Sequence, residues 1–242
     1  MTNKTEHKPV YKDNTSVLNN VTSAELKSHG WYNFQVATLL LEGFFTPGIL
    51  DEVIDLVTNN DKAHDIHHSM EVYNNINYIV EKCDINANSF QVALFALVHD
   101  AWSKTDRENH NVRARDYCLK LADSLVNDFI LTKDQILEVA ESVFKCRSGY
   151  KGERTEFEQL VKAGDFGPIQ YHDMMNRAAA YRGGDNPTPQ NFKEAHKHLQ
   201  EKYGRNGYAI AGLPPLWHQA FNSDGELERL WVKLDGEIET TK

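Results

Sequence analysis

A histidine and an aspartate, His99 and Asp100, stand side by side directly after the apolar run from Phe90 to Val98. Burying two such side chains without partners costs free energy, so a buried helix has no packing reason to end on them. Adjacent helical residues project about 100° apart, and both reach one atom only at the edge of a cavity. A divalent cation meets that geometry, because it takes an imidazole nitrogen and a carboxylate oxygen together. Alone, a His-Asp pair is also an ordinary helix end facing water, so the reading depends on further ligands. His64, His67 and His68 precede the pair. His64 and His68 are four residues apart on a predicted helix and share the face that carries Val72 and Ile76, whereas His67 points elsewhere. Asp165 follows the apolar Leu160 and Val161, at a place where aspartate is also a common cap of a helix-to-helix turn. His68, His99, Asp100 and Asp165 together make two imidazoles and two carboxylates, a set that leaves positions on an octahedral ion for water and substrate.

The elements that must position these groups read as helices. Thr22 and Glu25 form a capping box that opens a helix carrying Val36, Leu39, Leu40 and Leu41 towards Phe44, with Gly30 dividing it. Thr46-Pro47 starts a second helix through Ile49, Val53, Ile54 and Val57, ended by Asn59, Asn60 and Asp61. The histidine-bearing segment from Asp61 to Cys83 continues through Val72, Ile76, Ile79 and Val80. Asn88 and Gln91 are the capping box of the helix that ends at His99. Beyond the polar stretch from Ser103 to Glu108, helices run through Ala114, Cys118, Leu121 and Leu125, and from Thr132 and Gln135 through Ile136, Val139, Val143 and Phe144. A loop from Arg147 to Arg154 precedes a short helix from Glu156 to Ala163. Helical patterns recur over Ile169 to Tyr181 and Phe192 to Tyr203, separated by the loop from Gly183 to Pro189. The stretch from Gly212 to Leu216 breaks the pattern, and Ser223 and Glu226 cap a last helix through Leu234. Alternating β-branched runs between turns are nearly absent, so the chain reads as all-α and as one domain.

Composition narrows the function classes. The 242 residues suffice for a buried core, and 40% hydrophobic with 25% charged residues is the balance of a soluble globular chain. A formal net charge of −9 argues against sequence-independent binding to duplex nucleic acid, which needs a basic face. Cys83, Cys118 and Cys146 are widely spaced and contain no C-x-x-C pair, which suits a reducing compartment. Residues 1–20 read as a flexible polar tail without the apolar core of a secretory signal, and no run approaches a membrane span. A cytoplasmic protein is the expectation.

The order His, then His-Asp, then Asp resembles the HD-domain superfamily of metal-dependent phosphohydrolases, with 31 residues from His68 to His99 and 65 from Asp100 to Asp165. The segment from His64 to Val72 is similar to the family's first motif, that from Leu97 to Trp102 with Thr105 to Glu108 to its second, and that from Glu158 to Asp165 to the segment that delivers the last aspartate. The resemblance implies an all-α HD-type helical bundle over residues 21–242, with a core at about 60–180 and C-terminal helices in an extension over 183–242. It implies His68, His99, Asp100 and Asp165 as ligands of a divalent ion such as Mn²⁺, Mg²⁺, Fe²⁺, Co²⁺ or Ni²⁺. It makes His64 a phosphate-contacting or proton-donating group, and Lys104, Asp106 and Glu108 substrate-facing or water-orienting residues.

Between Asp100 and Asp165 only His110 is available as an additional histidine, and Lys145 to Ser148 stands where another is expected, so one ion per chain is favoured. The implied activity is hydrolysis of a nucleotide or related small-molecule phosphate ester by metal-activated water. Two other readings are a regulatory module that binds metal and nucleotide without turnover, and a two-iron oxygenase, which the scarcity of histidines disfavours. Lys104, Arg177, Arg182, Lys202 and Arg205 are the cations available to a phosphate. Tyr203, Tyr208, Trp217 and Trp231 of the extension suit a pocket wall, an interface in a homo-oligomer, or the core.

Overall fold

A computed structural model describes residues 31–61, 63–147, 150–168, 171–222 and 225–236. The tail over residues 1–20 and the capping box at Thr22 and Glu25 lie outside the described residues. Among those described, the elements are eleven α-helices and no strand: α1 (Trp31–Glu42), α2 (Asp51–Thr58), α3 (Ile66–Cys83), α4 (Ser89–Val98), α5 (His110–Ser124), α6 (Lys133–Lys145), α7 (Glu156–Phe166), α8 (Tyr171–Gly183), α9 (Pro189–Tyr203), α10 (Pro215–Phe221) and α11 (Glu226–Asp235). A single antiparallel bridge joins Phe45 to Leu125, and a short 3-10 turn spans Ile210–Gly212. The chain is all-α, as its periodicity predicts.

Helix α4 is the axis. Its residues from Val92 to Val98 are 0% exposed, because α1, α2, α3, α6 and α7 pack around it. Full burial of a Leu, Val or Phe side chain is worth about 1.5–3 kcal/mol, so an all-round apolar helix is stable only at such a centre. Asn88 caps it as expected, its side chain accepting from the Phe90 and Gln91 amides. The reciprocal half of the expected capping box is absent. Gln91 instead donates to the Gln135 carbonyl at 3.2 Å and the Glu138 carboxylate at 2.8 Å, which ties α4 to α6. The Thr132–Gln135 capping box of α6 is formed, and Thr155–Glu158 and Thr188–Asn191 add two more at α7 and α9.

Several boundaries differ from the sequence expectation. Helix α2 begins at Asp51, not at Thr46-Pro47, because Gly48 takes a φ of +80° and turns the chain first. Helix α3 begins at Ile66, because Asp65 caps it by accepting from the His67 and His68 amides; His64 therefore precedes the helix. Helix α7 does not stop at Ala163 but continues through Gly164 and Asp165. A Cβ on Gly164 would lie 2.2 Å from the Ile76 side chain and 3.1 Å from its backbone nitrogen, so this glycine serves the close approach of α3 and α7 and not a turn. Helix α10 is an element that the Pro-rich pattern concealed; Pro215 stands in its first turn, where a missing N–H is harmless. The residue preceding α11 is Gly225, and Ser223 lies outside the described residues.

Of the extension's aromatic residues, Trp217 is fully buried and donates its indole N–H to the Gly167 carbonyl at 2.7 Å. Trp217, Leu227, Leu230 and Leu234 belong to the same hydrophobic cluster as α4.

Candidate metal centre

The chain brings together what its order suggested. His68 comes from the first turn of α3, His99 caps the C-terminus of α4, Asp100 follows in the turn, and Asp165 sits on the last turn of α7. The His68 and His99 Nε2 atoms are 3.3 Å apart. Asp165 Oδ1 lies 3.7 Å from each, and Asp100 Oδ2 lies 3.5 Å from each. One ligand atom from each of His68, His99 and Asp165 falls within 4.8 Å of the others, so this cluster could hold a metal ion. His67 is exposed and stands outside the cluster.

The rings are held by their second nitrogens. His99 Nδ1–H donates to the Ala96 carbonyl at 3.0 Å, and Phe95 stacks on the ring at 5.2 Å, which leaves Nε2 to face the carboxylates. Burial depresses the basicity of His99, which keeps that nitrogen's lone pair free. His68 differs. Burial and the Arg177 charge lower its basicity, but the Asp100, Asp165 and Glu71 carboxylates outweigh them and raise it to about 10. At pH 7 a ring of that basicity carries a proton on each nitrogen, with Nε2–H facing Asp100 Oδ2 and Asp165 Oδ1, and the opposing Arg177 charge stands with Nη2 2.9 Å from Nδ1. Ligation at Nε2 requires that proton to leave, while Nδ1 keeps its own with Glu71 Oε2, 4.0 Å away, as the carboxylate that faces it.

Both aspartates stay ionised. Burial raises the Asp165 carboxyl, but Lys162, with Nζ at 3.3 Å, and then the histidines hold it well below the ordinary range. Burial likewise opposes, and His99 and His68 overcome, so that Asp100 is depressed. The Cys146 thiol donates to Asp165 Oδ2 at 3.3 Å, and burial keeps it protonated.

His64 stands before α3, not on it, yet it reaches the same place. Its Nδ1–H donates to Asp61 at 2.7 Å, Arg107 donates to its Nε2 at 3.1 Å, and that Nε2 lies 4.0 Å from Asp100 Oδ2. His110, the sole histidine of its interval, places Nε2 3.5 Å from Asp100 Oδ1 and anchors Nδ1 on the Arg107 carbonyl at 2.8 Å. Lys104 and Asp106 are not brought in. The Lys104 ammonium is exposed and bound to the Asn59 carbonyl at 2.8 Å, and Asp106 is paired with Arg113 at 2.6 Å. Arg205 pairs with Asp235 at 3.5 Å, also away from the centre.

The cluster forms the floor of a cavity of about 900 Å³. Its lining includes Arg107, Arg147, Lys162, Arg177, Arg182 and Lys202 against Glu71, Asp100, Asp165 and Asp173, together with His198 and Tyr181. Sequence reasoning named Arg177, Arg182 and Lys202 but missed Arg107, Arg147, Lys162 and His198. Lys162 had a signal, being one turn before Asp165 on the same helical face. A scan of protein-family models gave no match, and searches of curated proteins and of solved structures gave none. No described helix is long and apolar enough to cross a membrane.

Proposed function

We propose that this protein is a metal-dependent phosphohydrolase of the HD type, acting on a nucleotide or related small phosphate ester. The observation that carries the reading is the convergence of two imidazole nitrogens and two ionised carboxylates on the floor of a cation-rich cavity. His68, His99 and Asp165, with Asp100, would hold the ion; once bound, such an ion polarises a phosphoryl oxygen and lowers the pKa of a coordinated water. The chain's own groups do the rest. Arg107 and Arg177 lie beside the cluster as donors for phosphoryl oxygens, the type of contact that planar guanidinium groups make well. His64, oriented by Asp61, presents Nε2 to the cavity, and that nitrogen, once protonated in place of the Arg107 contact, can pass a proton to a leaving oxygen. Lys162 holds Asp165 ionised.

The test is chromatographic product analysis of the purified protein against mono-, di-, tri- and cyclic nucleotides, with Mn²⁺ and with chelator. Chelator-sensitive cleavage is expected, and the product identifies the bond. Persistent nucleotide binding without any product would replace the enzyme by a regulatory binding module.

A further inference from the structure

The cavity's cations exceed what its own carboxylates need. Lys162 and Arg177 pair with Asp165 and Glu71. Among the described residues, no carboxylate lies within ion-pair distance of Arg107, Arg147, Arg182 or Lys202, although the whole chain has a net charge of −9. Unpaired cations gathered at a cavity leave a place for an anion from outside.

Their placement locates that anion. Arg182 lies near the end of α8, its Nη1 fixed on the Ala178 carbonyl at 2.6 Å. His198 and Lys202 are one turn apart on α9 and share a face, and all three side chains are half-buried and line the cavity. The metal cluster stands on α3, α4 and α7, whereas these three stand on α8 and α9, the helix pair that also brings Arg177 to His68. A bridge of rings joins the two: the Arg107 guanidinium lies over Tyr181 at 5.5 Å, and Tyr181 meets the His64 ring edge-on at 6.3 Å. Burial first, and then Lys202, Arg182 and Arg107, lower the basicity of His198, as expected of an imidazole inside a cationic cluster.

We propose that Arg182, His198 and Lys202 bind a second phosphate group of the substrate, so that this protein acts on small molecules carrying at least two phosphates, one cleaved and one held. The inference rests on the phosphohydrolase reading for the cleaved group, and the held group is read from the α8–α9 wall alone. A contiguous diphosphate and two phosphates on separate carbons share this chemistry.

Two measurements separate the possibilities. In the first, inorganic pyrophosphate is titrated calorimetrically into the full-length, chelator-treated protein. The wild type binds it; the double variant R182Q/K202Q binds it about 30-fold more weakly, the loss expected for charge-assisted contacts. R182K/K202R, which keeps the charges, retains binding and excludes a folding defect, and the distant surface variant K133Q binds like the wild type. Unchanged binding in R182Q/K202Q, or none in the wild type, overturns the proposal. In the second, turnover with Mn²⁺ is compared for a nucleoside 5′-monophosphate, a 3′,5′-bisphosphate and a 5′-triphosphate. A higher kcat/KM for the bisphosphate or the triphosphate, lost in R182Q/K202Q, is expected, and the better of the two tells separated from contiguous phosphates. A preference for the monophosphate overturns the proposal. Pyrophosphate binding through Arg182 and Lys202 with no turnover of any ester removes the hydrolase reading and leaves the anion site standing.

Discussion

At the scale of the residue, the centre depends on which ring nitrogen carries the proton. His99 is ready for ligation, because the Ala96 carbonyl takes its Nδ1–H. His68 is not, because the carboxylates hold a proton at Nε2. Metal loading at pH 7 is therefore expected to release about one proton per chain, read from calorimetry of Mn²⁺ binding in buffers of different ionisation enthalpy; no release would refute a His68 protonated on both nitrogens. Glu71 is the acceptor waiting for the His68 Nδ1–H, so Glu71→Gln is expected to weaken Mn²⁺ binding about 10- to 100-fold, with the same fold by circular dichroism. The ligand set was legible in the sequence because residue type and order carry it. The arginines that control His68 and His64 were not. Arg177 is 109 residues from His68 and Arg107 is 43 from His64, separations that only the packed fold closes.

At the scale of the element, the ligands are as well placed as the helix ends that bear them. Asp65 caps α3 at the turn that carries His68, so Asp65→Ala is expected to cost about 1 kcal/mol and to lower metal affinity, the first measured by denaturant midpoint. Gly164 lets α7 lie against α3. A Gly164→Ala methyl meets the Ile76 backbone as well as its side chain, so a loss of about 3 kcal/mol is expected, with Asp165 displaced and metal content reduced. A variant of wild-type stability would contradict the close approach. Caps with a side-chain signature, such as Thr132 with Gln135, could be read in advance. The start of α3 was misplaced because Asp61 and Asp65 are equally good caps by type, and only the contacts of Asp65 with the His67 and His68 amides decide. The end of α7 was misread because a glycine is a stop signal in sequence, whereas here it answers a neighbouring helix.

At the scale of the whole molecule, the core and the centre are one structure. Trp217 joins the C-terminal helices to Gly167, just beyond the ligand-bearing α7. Trp217→Phe leaves that carbonyl without its donor and is expected to cost about 1–3 kcal/mol, in a single unfolding transition that includes the centre. Acid sensitivity belongs to this scale too. Burial opposes, but His64 holds Asp61 below its ordinary value, and Asp100 and Asp165 are depressed by their own partners. Carboxyls depressed in the folded chain stabilise it above about pH 3.9 and lose that contribution as pH falls through their folded-state values. The metal-free protein is therefore expected to lose melting temperature steeply below about pH 4, and Asp61→Asn to flatten that limb. The all-α class followed from periodicity alone, but the part played by the C-terminal helices did not, since Trp217 and Lys202 read equally well as core, surface or interface until α8 and α9 are seen to wall the cavity. Metal stoichiometry tests the centre itself: equilibrium dialysis against Mn²⁺, then elemental analysis of the wild type beside His99→Ala and Asp165→Ala. About one ion per wild-type chain is expected, and less than about a tenth of that in either variant. Equal content in all three, or none in the wild type, would contradict a metal centre at these residues.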